Sequence, residues 1–145
     1  MPSPEAPMLS NNHSVLQGLR ILVVDNDVDS CSLISTMLQI YAVDTQVAFS
    51  ASQALDAIQQ FRPDVLISDI AMPEENGYSL LQKVRAQETE EFPLPAIAVT
   101  AMVSDEDRAL AMAAGFQRWL PKPIDMDRLI ETIATMTDRS ENCPV

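Results

Sequence analysis

The chain alternates short, almost continuous apolar runs with longer stretches whose apolar residues recur at helical spacing. Residues 20–25, reading RILVVD, form a β-branched run that stops at an acid, the mark of a buried strand. Leu33, Ile34, Met37, Leu38 and Ile40 then predict a helix over 29–41. Residues 44–49 predict a second short strand. Ser50 is placed to cap a helix over 51–61 that carries Leu55 and Ile58 on one face, and Arg62-Pro63-Asp64 ends it. A third strand, 65–68, again runs into an acid, Asp69. Gly77 precedes a helix from Tyr78 to about Ala86, residues 92–95 read as a proline-rich loop, and 96–100 as a fourth strand. A helix over 105–114 stops at Gly115, and a fifth strand covers 118–120. Pro121-Lys122-Pro123 breaks the chain before a last helix that Asp125 caps and that reaches Met136. Asp29 and Asp105 also read as caps, and Asp27 divides evenly between cap and site.

Five strand–helix units in strict alternation imply a parallel sheet with helices on both faces, and burial on both faces explains why several strands lack a period-two pattern. The 145 residues suit one domain. Residues 1–18, rich in Pro, Ser and Asn, read as a flexible arm, with a helical turn near 15–19; residues 137–145 read as a short polar tail. Composition narrows the class further. With 47% hydrophobic and 21% charged residues the chain is an ordinary globular sequence. Twenty-one acids against nine bases give a charge of -12, which disfavours nucleic acid or an anionic membrane as the main partner. No apolar run approaches a membrane span. The two cysteines, Cys31 and Cys143, have no metal-ligand spacing, and a reducing, cytoplasmic setting is the simpler reading.

In open parallel α/β sheets, working residues lie beyond the carboxyl ends of the strands. Those positions hold Asp25, Asn26 and Asp27 after the first strand, Asp69 after the third, Thr100 and Ala101 after the fourth, and Lys122 after the fifth. Carboxylates crowding one cleft repel unless a cation intervenes, and hard oxygen ligands with open positions suit Mg2+. A carboxylate beside Mg2+ can act as a nucleophile, and a hydroxyl and an ammonium converging on it can hold a transferred phosphoryl group. Taken singly these residues have plain structural readings: a threonine as a strand former, a solvated lysine, Trp119 and Met72 as packing. The specificity lies in the set and its order.

That set, Val24-Asp25-Asn26-Asp27, then Ser68-Asp69-Ile70-Ala71-Met72-Pro73 with Gly77, then Val99-Thr100-Ala101, then Trp119-Leu120-Pro121-Lys122-Pro123, resembles the response-regulator receiver domain over roughly residues 19–136. The resemblance implies a flavodoxin-like, doubly wound five-stranded sheet of order 2-1-3-4-5. It implies Asp69 as the phosphoacceptor, with Asp25, Asn26, Asp69 and the backbone carbonyl of Ala71 as Mg2+ ligands. Thr100, the Ala101 N–H and Lys122 would bind the phosphoryl group, Trp119 falls at an aromatic switch position, and the Lys122–Pro123 bond is expected to be cis. One departure stands out. The second position of the usual acidic pair is Asn26, whose amide oxygen ligates without charge. Asp27 is a candidate to swing in beside it.

The expected partners are a sensor histidine kinase or histidine phosphotransfer protein as donor, and a downstream protein target met through the face of the fourth helix, fifth strand and last helix. The chain is expected to signal rather than turn over an external substrate, with no direct DNA contact and no membrane contact. Two rivals have their own residues. Asp25 and Asp27 form an Asp-x-Asp like that of haloacid-dehalogenase phosphatases, with Thr100 and Lys122 as the next two motifs; no second acidic pair follows, and Asp69 is left unexplained. Asn26 feeds the other rival, a receiver fold that docks without being phosphorylated. A free-standing receiver, a phosphorelay intermediate and a receiver within a hybrid kinase are all compatible with the sequence.

Overall fold

The computed structural model describes residues 16–72, 75–88, 93–101 and 104–137. Five strands, β1 (Arg20–Val24), β2 (Asp44–Ala48), β3 (Val65–Ser68), β4 (Ala96–Thr100) and β5 (Arg118–Pro121), alternate with five helices. These are α1 (Val28–Ile40), α2 (Ala51–Phe61), α3 (Gly77–Gln87), α4 (Asp105–Ala114) and α5 (Met126–Met136). All strand pairs are parallel, in the order β2-β1-β3-β4-β5. The expected doubly wound sheet is therefore the observed one. Strand order reverses at β1, so the crevice beyond the ends of β1 and β3 is the topological switch point.

Each face of the sheet has its own core. Ile21, Val23, Ile67 and Val99 point toward α1 and α5, meeting Ile34, Leu38, Leu129 and Ile133. Leu22, Val24, Leu66 and Ala98 point the other way, toward Ala54, Leu80, Leu81, Val84 and Ala111 of α2, α3 and α4. The three inner strands are buried along nearly their whole length, which is why they read as continuous apolar runs. Leu16, inside the segment expected to be an arm, is fully buried in the α1/α5 core. Residues 1–15 and the segment beyond 137, including Cys143, lie outside the described residues, as do Pro73, Glu74 and Phe92.

Polar side chains set where the helices begin. Ser50 and Asp125 cap α2 and α5 as their positions suggested. Two other caps fall one or two residues earlier than expected. Asp27, not Asp29, caps α1, and Ser104, not Asp105, caps α4; Asp29 and Asp105 sit in the first turns, where a negative charge still favours the helix N-terminus. The helix over α1 also buries fewer of its apolar residues than the spacing implied. Cys31, Ile34 and Leu38 face the sheet, while Leu33 and Ile40 are 61% and 56% exposed.

Candidate functional site

β1 and β3 are neighbours in the sheet, so the acids that end them are brought side by side. Asp25 follows β1 with its N–H donated to Ala48 O (3.1 Å), and Asp69 follows β3 with its N–H donated to Val24 O (2.9 Å). Both are buried, at 3% and 8% exposure. β5 reaches the same crevice from the other side of β4. The Lys122 N–H donates to Thr100 O (2.9 Å), and its side chain extends back across the strand ends. Its Nζ lies 2.8 Å from Asp25 Oδ2 and 3.2 Å from Asp69 Oδ2. One ammonium thus bridges two buried carboxylates that lie 44 residues apart in the chain.

The electrostatics follow from that count of charges. Burial, then the nearby Asp25 charge, push the Asp69 carboxyl above the ordinary aspartate range, against the pull of Lys122. For Lys122, burial opposes the ammonium, but its bonds to Asp25 and Asp69 outweigh that and raise it. Two carboxylates against one ammonium leave the cleft short of positive charge.

Backbone donors hold both acids in place. Asp25 Oδ1 accepts the Asp27 N–H (2.9 Å), and Asp69 Oδ1 accepts the N–H groups of Ile70 (2.7 Å) and Ala71 (3.3 Å). The Ser68 hydroxyl donates to Asp69 O (2.8 Å), and the buried Cys31 thiol donates to Asp25 O (3.3 Å). Burial first, and the Asp25 charge second, raise that thiol to about 11, so it is a structural donor and not a nucleophile. Gly77 opens α3 directly against the phosphoacceptor candidate's backbone. A Cβ there would lie 2.5 Å from Asp69 O and 3.0 Å from the Cα of Ile70.

The structure therefore gathers Asp25, Asp69 and Lys122 in direct contact, with Thr100, 1% exposed, at the end of the intervening strand. Ala71, Ala101 and Asn26 lie exposed around the cleft's rim segments. Asp27 is committed elsewhere: its carboxylate accepts the Asp29 N–H (3.0 Å) and the Ser30 hydroxyl (3.1 Å) as the cap of α1. Trp119 pairs with Ala98 across the β4–β5 ladder and packs on the α2/α3/α4 core. The Arg108 guanidinium lies 5.6 Å from its ring centroid, while the buried Trp119 Nε1 finds no hydrogen-bond partner among the described residues. The Lys122–Pro123 bond is cis. Sequence reasoning missed the supports, Cys31 and Ser68, because neither residue type signals a donor role by itself. Gly77 was visible as a helix boundary and as part of the motif after Asp69, but not as a residue packed against the Asp69 main chain. A groove of about 840 Å³ lies at the opposite ends of the strands, between α2 and α3, lined among others by Pro63, Val84 and Leu94, and does not touch these acids.

The fold and this trio define an α/β domain with an acidic, lysine-bridged crevice at its switch point. Comparison with known proteins makes the assignment specific. The family model for the response regulator receiver domain matches residues 21–134, and the chain belongs to that family. It is 41% identical over 118 residues to an uncharacterized 14.6 kDa protein in the sodA1 3'region of Leptolyngbya boryana, covering 81% of this chain and 89% of that one. It is 32% identical over 145 residues to hybrid signal transduction histidine kinase D of Dictyostelium discoideum, covering 95% of this chain but only 9% of the kinase. Among solved structures, the receiver domain of the Francisella response regulator 1452 superimposes with a TM-score of 0.76 at 31% identity, covering 86% of this chain and all of that one.

Proposed function

We propose that this receiver domain accepts a phosphoryl group on Asp69 from a phosphohistidine of a sensor histidine kinase or histidine phosphotransfer protein. The observation that carries the reading is the Lys122 ammonium shared between Asp25 and Asp69. In the step, an Asp69 carboxylate oxygen forms a bond to phosphorus as the phosphorus–nitrogen bond to imidazole breaks, and the departing imidazole keeps the electron pair and takes a proton. The buried carboxylate enters the reaction with little water to displace, and Lys122 can follow the charge from the carboxylate to the phosphoryl oxygens. The Thr100 hydroxyl and the Ala101 N–H, at the end of β4, are the remaining phosphoryl-binding groups in this reading.

The donor set fits Mg2+. Asp25 and Asp69 offer hard oxygens in a cleft with unbalanced negative charge, and the Ala71 carbonyl and Asn26 amide oxygen are the further candidate ligands. Bound there, the ion would neutralise the charge that accumulates on the transferred oxygens. Among the described residues no group of three His, Cys, Asp or Glu converges as a metal site. With Asn26 in place of a second acid, more of the coordination of a bound ion would fall on water. In this proposal Asp27 stays in the α1 cap rather than replacing the missing acid, and the same cap role counts against the phosphatase reading, which needs Asp27 as general acid.

The output surface in this proposal is the face of α4, β5 and α5, with Trp119 as its aromatic reporter. In this proposal the setting is cytoplasmic. Among the described residues no helix is long and apolar enough to cross a membrane. Incubation with a small acyl or amido phosphodonor, with and without Mg2+, tests the function. Mg2+-dependent labelling is expected. A chain that takes no phosphoryl group under either condition would instead be the docking module that Asn26 suggested.

A further inference from the structure

The main-chain carbonyl of Asp69 is as closely surrounded as its carboxylate. The ladders that join β3 to β1 and β4 both stop at Ser68, so the Asp69 C=O lies past the last strand pair on either side. The residue is 8% exposed, and Gly77 backs the oxygen so closely that a Cβ there would stand 2.5 Å from it. A carbonyl on a buried residue outside the ladder needs a donor from elsewhere. Among the described residues that donor is one side chain. The hydroxyl of Ser68, a residue with no exposed surface, donates to Asp69 O at 2.8 Å.

This bond acts beyond the oxygen on which it ends. The Asp69 C=O and the Ile70 N–H belong to one planar peptide unit, so a group that fixes the carbonyl also fixes the direction of the N–H. That N–H donates to Asp69 Oδ1 at 2.7 Å, and the Ala71 N–H donates to the same oxygen at the longer distance of 3.3 Å. The contacts run in a closed path from the Ser68 hydroxyl to the Asp69 carbonyl, across the peptide plane to the Ile70 N–H, and back to the Asp69 carboxylate. The Gly77 N–H, given to Ile70 O at 2.9 Å, steadies the following peptide against the start of α3. With Oδ1 tethered from behind, Oδ2 is the oxygen turned to the Lys122 ammonium, 3.2 Å away.

We propose, resting on the reading that Asp69 receives the phosphoryl group, that Ser68 is a positioning residue for the transfer. Its hydroxyl locks the Asp69–Ile70 peptide plane, and through the Ile70 N–H that plane sets the orientation of the Asp69 carboxylate. A carboxylate free to rotate presents an oxygen along the line of attack in only a fraction of its orientations, and a tethered one does so in most of them. No bond is made or broken at Ser68, and its proton stays on the hydroxyl.

Ser68→Ala removes the hydroxyl with little change in volume, and Ser68→Cys puts a weaker donor of similar size in its place. Two measurements on the full chain test the lock. The first follows the Ile70 amide by NMR without phosphodonor or Mg2+. In Ser68→Ala its proton should shift upfield and exchange with solvent about threefold to tenfold faster, the factor that one neutral hydrogen bond represents. The second is the initial rate of phosphorylation by acetyl phosphate at saturating Mg2+, so that a change in metal affinity does not enter the rate. It should fall by about tenfold in Ser68→Ala. Ser68→Cys should lie between the native chain and Ser68→Ala in both measurements. If Ser68→Ala does not fold, the step from native to Ser68→Cys decides alone. A native rate in Ser68→Ala, or a slower rate with the Ile70 amide unmoved, would overturn the proposal. An Ile70 amide that responds to Ser68→Ala in a chain that takes no phosphoryl group even in its native form would count against Asp69 as phosphoacceptor, with the Ser68 lock intact.

Discussion

Replacing Lys122 by Met isolates the contribution of the shared ammonium. The substitution keeps the aliphatic stem and removes the charge that lies 2.8 Å from Asp25 and 3.2 Å from Asp69. Breaking a buried ion pair by removing one partner costs about 3–5 kcal/mol, because a buried charge is left uncompensated. Two features of the site bear on that figure. The Lys122 side chain is 25% exposed, so water already shares its charge and the loss is smaller. Two acids lose their partner at once, which works in the other direction. A destabilisation of about 2–3 kcal/mol near neutral pH is the expected balance. The effect should depend on pH. Asp69 has a folded-state value above its unfolded 3.8, so the folded protein holds that proton more tightly, and stability falls as pH rises through the interval between the two values. Removing Lys122 removes the force that lowers the folded value, so the interval widens. The deficit of Lys122→Met should therefore be larger at about pH 7.5 than at about pH 4.5. Urea unfolding followed by circular dichroism at both pH values measures it. Adding Asp25→Asn to the variant should restore a good part of the loss, since the remaining acid then has no like charge beside it. A deficit under about 0.5 kcal/mol, or one that grows toward acid pH, would refute the view that Lys122 neutralises this pair.

Gly77→Ala should destabilise the fold by about 1–3 kcal/mol in urea unfolding, because the new Cβ meets main-chain atoms of Asp69 and Ile70 that cannot move aside cheaply. Asn26→Asp should tighten Mg2+ binding in a direct titration and lower stability in metal-free buffer, since it adds a carboxylate beside a cleft already short of positive charge; equal affinities would mean the position is not a ligand. Trp119 is the only tryptophan of the chain, so its fluorescence should change when beryllofluoride and Mg2+ are added, and Thr100→Ala should blunt the change; an unaltered spectrum with proven occupancy would leave Trp119 as packing.

The fold was legible because the three inner strands are buried on both faces and each helix is bounded by turn chemistry, so the alternation of β and α survives in the pattern of apolar residues alone. What was less legible depended on contacts between segments. Asp29 looked as good a cap as Asp27, and only the backbone geometry after β1 decides which carboxylate reaches the free N–H. Leu33 and Ile40 fit a helical stripe, yet the face of α1 that meets the sheet is set by Cys31, Ile34 and Leu38. At the site, the acids and the lysine could be placed at strand ends from order alone. Their convergence needs the strand order 2-1-3-4-5, which residue spacing does not supply and the family resemblance does. The supports from Cys31 and Ser68 are hydrogen bonds to carbonyl groups, and a carbonyl leaves no trace in a sequence.

The central claim is that Asp69, and no other acid of the crevice, receives the phosphoryl group. Borohydride reduces an acyl phosphate to the corresponding alcohol, which converts a phosphorylated aspartate to homoserine and leaves free carboxylates untouched. Treating the chain with a small phosphodonor and Mg2+, reducing it, and mapping the peptides by mass spectrometry identifies the modified residue directly. Homoserine at position 69 alone, absent from Asp69→Asn, is the predicted result. Modification at Asp25 or Asp27, or undiminished modification of Asp69→Asn, would contradict it.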